Sequence, residues 1–354
     1  PRLLRTIAGE APALHFFEMN YSANLLTIGA SFPSIATPRW VKAGEGDHES
    51  LCMTDRARTV RLAVISEGLL SWPLYVAQAK NLFEGAGIAV EVTLTASSAR
   101  QLEELVKGGY DIGFQQSDHV VRAVEGGSDL FIFMAISPQP ELSLVAAPDI
   151  HSFADLKGKV IAVDGARSGY ALVLRKLLAD QGLRGGGDYT FTEFGGSRER
   201  YEALRGGVAF ASFLNPPFDR NLFAAGFRNL GTLGDHFPTY PGSIAAARRS
   251  WARENEPRLV AFIRGMNAAF AWLEDRNNKQ EAIGILQARL KTDGVAAARA
   301  FDDFSARPRP TVMPEALRQV IDIVWDAEGL KDPRGAPEKY IDLSYLHKAV
   351  IGNR

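Results

Sequence analysis

The stretch RQLEELVKGG at Arg100–Gly109 returns as RERYEALRGG at Arg198–Gly207, 98 residues later. In both copies apolar residues recur at helical spacing, and a glycine pair closes the run where a helix end calls for a positive φ. Ser98 stands ready to cap a helix over Ala99–Lys107, and Ser197 one over Arg198–Arg205. Around the first copy, Val60–Ile65, Ile88–Leu94 and Tyr110–Phe114 read as strands, with another helix over Trp72–Phe83. Around the second, Val160–Val163, Tyr189–Phe194 and Val208–Leu214 read as strands, with a helix over Tyr170–Asp180. Leu62 falls on Val160 and Ile65 on Val163 at the same offset. Such alternation predicts an α/β fold with a mainly parallel sheet, built as two lobes wired alike, each a βαβαβ unit.

After Tyr240 the alternation stops, and Pro257–Leu273, Lys279–Leu290, Val295–Phe304, Pro314–Ala327 and Tyr340–Val350 have helical patterns. This helical third is expected to pack back onto the first lobe. The lobes are placed at residues 59–138 plus 239–354 and at 139–238, with crossovers near Ser137–Leu144 and Phe237–Ala245. Residues 1–58 differ in texture: Pro33 and Pro38 interrupt any pattern, and an irregular extension is expected. Within it Leu25–Ala36 only weakly matches a secretory apolar region, with no basic segment just before it, so no export signal is evident.

The 354 residues carry 40 Lys and Arg against 41 Asp and Glu, a formal net charge of −1, which argues against a nucleic-acid partner. A single cysteine, Cys52, makes neither an internal disulfide nor a thiolate metal cluster. Apolar stretches are broken well short of a membrane span, and 46 % hydrophobic residues suffice for a core, so a soluble globular protein is expected. No Walker A, HExxH, CxxC or GxSxG motif is present, and Gly165–Gly169 lacks the spacing of a dinucleotide loop. The six histidines have no ligand spacing. His119 beside Asp118 has the makings of a base and its orienter, though an imidazole in a pocket wall is the preferred reading. No catalytic residue, metal or cofactor is expected.

In open parallel sheets ligands sit beyond the carboxyl ends of the strands, where helix N-termini present free N–H groups. Six loops meet that description, and their candidate ligand-binding residues are Ser66, Glu67, Trp72, Ser97, Ser98, Gln116, Ser117, Arg167, Ser168, Gly169, Tyr170, Gly196 and Asn215. Arg167, before a helix start, either shares an anion with the helix N–H groups or is a solvated loop arginine. Trp72 and Tyr170, also 98 apart, form either aromatic jaws for a planar guest or parts of the core. Glu67 and Asp118 would favour a cationic or amino guest instead. Ser168 serves equally as a helix cap, and Asn215 before Pro216-Pro217 equally as a structural turn.

An ordered series of segments resembles the solute-binding proteins of ABC importers, in the nitrate/sulfonate/taurine (NitT/TauT) and thiamine-pyrimidine-like group. It runs through Pro73–Ala77, Asn81–Phe83, Gly87–Val92, LVKGGYDIGF at Leu105–Phe114, FADLKGKVIAVD at Phe153–Asp164, Gly169-Tyr170, LLADQGL at Leu177–Leu183, RYEALRGG at Arg200–Gly207 and Pro241–Trp251. It covers residues 60–350, and the DLKGK strand entry is the most specific piece. The resemblance implies a two-lobed type II periplasmic-binding-protein fold, a two-stranded hinge that closes around one small solute, a periplasmic location and delivery to the transmembrane subunits of an ABC permease. The solute classes it leaves open are sulfonates, aromatic carboxylates and pyrimidine-like compounds. The chain departs from the group in residues 1–58, and in Val208-Ala209-Phe210, which lacks the aspartate that Asp111 supplies in the first lobe. The same fold also includes an enzyme that makes the thiamine pyrimidine. Its cysteine-rich iron-binding run is missing here, which favours binding over synthesis. A regulator with a DNA-binding segment in residues 1–58 is a third possibility, disfavoured by the prolines there.

Overall fold

The computed structural model describes residues 58–351 apart from Ser66, Ala96, Pro138 and Pro308. The extension expected over residues 1–58, Cys52 included, lies outside the described residues but for Arg58.

From the start, β1 (Thr59–Val64) leads through α1 (Trp72–Ala79) and α2 (Leu82–Gly85) to β2 (Ala89–Leu94). The chain continues through α3 (Ser98–Lys107) to β3 (Ile112–Gln115) and through α4 (Ser117–Glu125) to β4 (Leu130–Ala135). It then crosses to β5 (Ser143–Ala146) and β6 (Lys159–Val163), followed by α5 (Gly169–Asp180), β7 (Tyr189–Glu193) and α6 (Ser197–Arg205). After β8 (Ala211–Leu214), α7 (Phe218–Ala224), β9 (Arg228–Thr232) and α8 (Leu233–His236), it returns through β10 (Ile244–Arg248). Helices finish the chain: α9 (Arg249–Glu254), α10 (Glu256–Glu274), α11 (Lys279–Leu290), α12 (Gly294–Ser305), α13 (Pro314–Glu328) and α14 (Ser344–Ile351).

The strands form two sheets of identical wiring, β2-β1-β3-β10-β4 and β7-β6-β8-β5-β9. In each, the strand arriving from the other half fills the fourth slot and is the one that runs antiparallel to its neighbours. The mainly parallel α/β architecture read from the sequence is thus the observed one. The registers repeat as well: Leu62 pairs with Val92 and Ile112, as Ile161 pairs with Phe191 and Ala211. These pairs set the true offset between the halves at 99 residues, one more than the helix text implies.

The helix caps keep the same offset. Ser97, not Ser98, caps α3 by accepting from the Arg100 amide at 3.3 Å, and the helix ends at Gly108 with φ 88°. The corresponding cap of α6 is Gly196, which has no side chain to offer, and Ser197 is the first helical residue. Helix α6 is one residue shorter, yet its positive φ falls on Gly207, at 68°, while Gly206 stays at −77°. The single helix expected over Trp72–Phe83 is two, because Asn81 turns the chain at φ 52° between α1 and α2. The aspartate missing from the second half is also accounted for. Asp111 accepts from the amide and guanidinium of Arg61, whereas Phe210, in the same place, lies under the Lys159 ammonium at 4.4 Å.

β3 and β4 are buried along their whole length, as strands covered on both faces are. One face of the first sheet, with α1, α10, α11 and α12, encloses one apolar cluster that includes Trp72, Phe83 and Phe262. A second cluster spans both halves: Leu105, Val120 and Leu130 from the first and Ile161, Leu172 and Phe213 from the second meet around α13, and a third, smaller one includes Val145, Ala162 and Leu204. The C-terminal third therefore does not pack on the first lobe alone. Leu317, Val320, Ile321 and Val324 form an i, i+3, i+4, i+7 stripe, each at most 2 % exposed, that seals α4 and α5 together. Each such side chain contributes about 1.5–3 kcal/mol of burial.

Candidate functional site

The carboxyl ends of β3 and β8 pair with the strands that enter through the crossovers. The loop that follows β3 meets the loop that follows β6. Asp118, on the first turn of α4, directs Oδ1 at Gly169, the first residue of α5, so closely that a methyl group added at Gly169 would lie 2.2 Å from it. Only glycine permits that approach. The other oxygen of Asp118 accepts from Arg122 Nη2 at 2.8 Å, one helical turn behind it.

Around this contact the lobe-1 loop presents several polar atoms that are buried and have no partner within the protein: Gln116 Oε1, Ser117 Oγ and Asp118 Oδ1, joined by the hydroxyl of Tyr240 from the second crossover. Gln116 is held by its amide nitrogen, which donates to Ser243 Oγ at 3.2 Å, and Ser243 in turn is held by Ser137 of the first crossover. His119 is 3 % exposed, with Nδ1 2.6 Å from Gln115 Oε1 and Nε2 3.8 Å from Asp118 Oδ2. Burial lowers its pKa, against the opposing pull of Asp118 and Asp164, and keeps it neutral. From the other lobe, Asp164 accepts from Ser168 Oγ at 2.5 Å while Ser168 caps α5 at the Ala171 amide. The Tyr170 hydroxyl is pushed up by burial and by Asp118 and Asp164, with Gln116 pulling it the other way. Tyr240, 1 % exposed, is pushed up by burial and by Asp118 and Tyr170, with Arg122 pulling it the other way.

Arg200 is the functional-looking residue that the candidate set lacks. It is 7 % exposed on α6, and its three nitrogens donate to the carbonyls of Gly195, Gly196 and Phe213 and to the hydroxyls of Ser197 and Ser212. Burial lowers its pKa, and Asp164 and Tyr170 partly restore it. Its position inside RYEALRGG marks it as a helix residue; that its side chain turns inward to tie the loop after β7 to strand β8 depends on tertiary contacts.

The candidate residues divide. Gln116, Ser117, Ser168, Gly169 and Tyr170 come together at the junction just described. Ser97 and Ser168 are helix caps, Ser98 and Gly196 lie at helix starts, and Asn215 is exposed, its Oδ1 accepting from Ser197 Oγ at 2.6 Å beside the cis Pro216-Pro217 bond. Ser66 lies outside the described residues. Glu67 is exposed and bound to Arg289 at 2.7 Å. Arg167 is exposed, and its guanidinium bonds Glu328 of α13 at 2.7 Å. One expectation needs correction: Trp72 is no jaw opposite Tyr170. It is 1 % exposed, with its ring 6.0 Å from Phe301 and 5.9 Å from Phe304 in the first-lobe core. Trp72 is the first residue of α1 whereas Tyr170 is the second of α5, so about 100° of helix rotation separates the directions they face.

Among the described residues no group of three or more His, Cys, Asp and Glu side chains is arranged to hold a metal ion, and no helix is long and apolar enough to cross a membrane. A family model described as NMT1/THI5 like matches residues 71–279. Among curated proteins, the Bacillus subtilis (strain 168) protein described as "Putative binding protein YtlA" is 24 % identical over 244 residues, which span 62 % of this chain and 67 % of that protein. Among solved structures, the alkanesulfonate-binding protein SsuA from Xanthomonas axonopodis pv. citri, bound to MOPS, is 22 % identical with a TM-score of 0.63, covering 80 % of this chain and 98 % of that one. The periplasmic nitrate-binding protein NrtA from Synechocystis PCC 6803 is 15 % identical with a TM-score of 0.66, covering 84 % and 89 %. At such identities the likeness establishes the fold, the two-lobed architecture of periplasmic binding proteins. With the family model spanning more than half of the sequence, the chain belongs to the NMT1/THI5-like family.

Proposed function

We propose that this protein is the solute-binding component of an ABC importer, holding one small organic molecule between the facing strand tips and delivering it to permease transmembrane subunits. The observation that carries the reading is the set of buried, unpartnered polar atoms at the junction, Gln116 Oε1, Ser117 Oγ, Asp118 Oδ1 and Tyr240 Oη. Buried polar groups are nearly always hydrogen-bonded, and four left open at one place where two lobes meet are a binding surface awaiting a guest. The lobes at residues 59–138 plus 239–354 and 139–238 would part and close about the two crossovers. The Ser137–Ser243–Gln116 chain of hydrogen bonds ties that hinge to the site. A guest touching both lobes only when shut shifts the equilibrium toward closure. An extracytoplasmic location follows from that role.

Binding is favoured over turnover because similar solved structures include sulfonate- and nitrate-binding proteins. Of the solute classes open to the family resemblance, oxyanions lose their main support with Arg167 committed to Glu328. Small-angle scattering during ligand titration tests the reading: a guest that raises the melting temperature should also reduce the radius of gyration. A guest that binds without compacting the protein would refute hinge closure.

A further inference from the structure

We propose that the guest is a hydrogen-bond-donating nitrogen compound, such as an amine, amide or amidine, and that Asp118 with Gln116 selects it against simple oxyanions. This rests on the solute-binding reading above and sharpens it.

The two arginines whose charge reaches His119, Tyr170 and Tyr240 are Arg122 and Arg200. Arg122 is committed to Asp118 Oδ2 at 2.8 Å, and the nitrogens of Arg200 already donate to loop carbonyls and hydroxyls. Two carboxylates, Asp118 and Asp164, balance these two cations, and His119 is neutral, so the junction holds no surplus positive charge. An oxyanion entering it would leave water without gaining an uncommitted cation, which is costly.

The unmet groups have the opposite demand. Gln116 Oε1 and Asp118 Oδ1 can only accept, while the hydroxyls of Ser117 and Tyr240 serve either way. Asp118 is 1 % exposed, and its free oxygen points across the junction at Gly169. Two unpartnered side-chain donors also lie nearby, and both are set back. Gln115 Nε2 faces the first lobe's own Gly113, and Arg122 lies a turn further into α4. A guest nitrogen carrying two hydrogens would satisfy both acceptors, and the bond to the carboxylate would be charge-assisted.

The test uses probes that match in shape and differ in the recognised group: benzamidine, benzamide, benzoate and benzenesulfonate, with nitrate and ethanesulfonate as small oxyanions. Each is titrated calorimetrically into the purified full chain at up to about 10 mM. The amidine or amide should bind at least about tenfold more tightly than benzoate and benzenesulfonate, as a charge-assisted hydrogen bond implies. Asp118→Asn should erase most of that preference. Because Asp118 is buried and paired with Arg122, Gln116→Met serves as a second variant, expected to weaken the amide while its melting temperature stays near that of the parent. An oxyanion that binds as tightly as its amide or amidine counterpart overturns the inference and leaves solute binding standing. Silence from all six probes counts against small-solute capture itself, and the inference falls with it.

Discussion

Asp118 and Gly169 meet across the junction of the two lobes with no room for a methyl group between them. Gly169→Ala should destabilise the closed protein by about 1–3 kcal/mol, the usual cost of forcing an atom into a packed site. In an Asp118→Gly background the same substitution should cost little, so a double-mutant cycle by denaturant unfolding should give a coupling of at least about 1 kcal/mol. Additive effects would mean that the contact is slack. His119 offers a pH test. Its pKa is lowered by burial, so as pH falls through about 6.5 the unfolded chain takes up a proton that the native state declines. Stability from this group therefore falls on acidification and is flat above that pH, even with Asp118 and Asp164 opposing the effect. His119→Gln should flatten the dependence of melting temperature on pH between about 5 and 7; an unchanged slope would assign the dependence to other groups. Arg167→Ala, by contrast, should cost under about 1 kcal/mol, since its partner lies across an exposed pair, and should leave guest affinity unchanged in calorimetry.

At the scale of elements, α13 is the part whose role is least local. Ile321 is 2 % exposed in the cluster shared by both sheets, and Ile321→Ala should cost about 2–4 kcal/mol in chemical unfolding. A loss under about 1 kcal/mol would show that the strap is loosely packed. The helix itself was legible, since Pro314 and Gly329 bracket a clear apolar stripe; its partners were not, because a stripe does not say which lobe it meets. Strands and helices of both halves were legible for a similar reason: caps, glycine pairs and β-branched runs act over a few residues. What local signals miss is a one-residue phase. The copies of the helix text align at 98, yet the sheets and the helix starts align at 99. Trp72 and Tyr170 appear equivalent at the first offset, yet one is core and the other lies at the junction. Arg200 and the partner of Arg167 escaped notice because burial and ion pairing join residues far apart in sequence.

For the whole molecule, β5 and β10 each complete the sheet of the other half, so two similar halves are joined by two crossovers. Helix α13 packs on α4 and α5 on the apolar side of the junction. Ser117 and Gln116 sit where these features converge, and that convergence is why the unpartnered atoms there carry the functional reading.

The most direct measurement is native mass spectrometry of the full chain, purified without denaturation and incubated with extract of its source cells. The expected result is one small molecule per chain, released unchanged on collisional activation, with the adduct lost in Asp118→Asn and Gln116→Met. A chain that never carries an adduct, or that releases a chemically altered product, would contradict capture between the lobes.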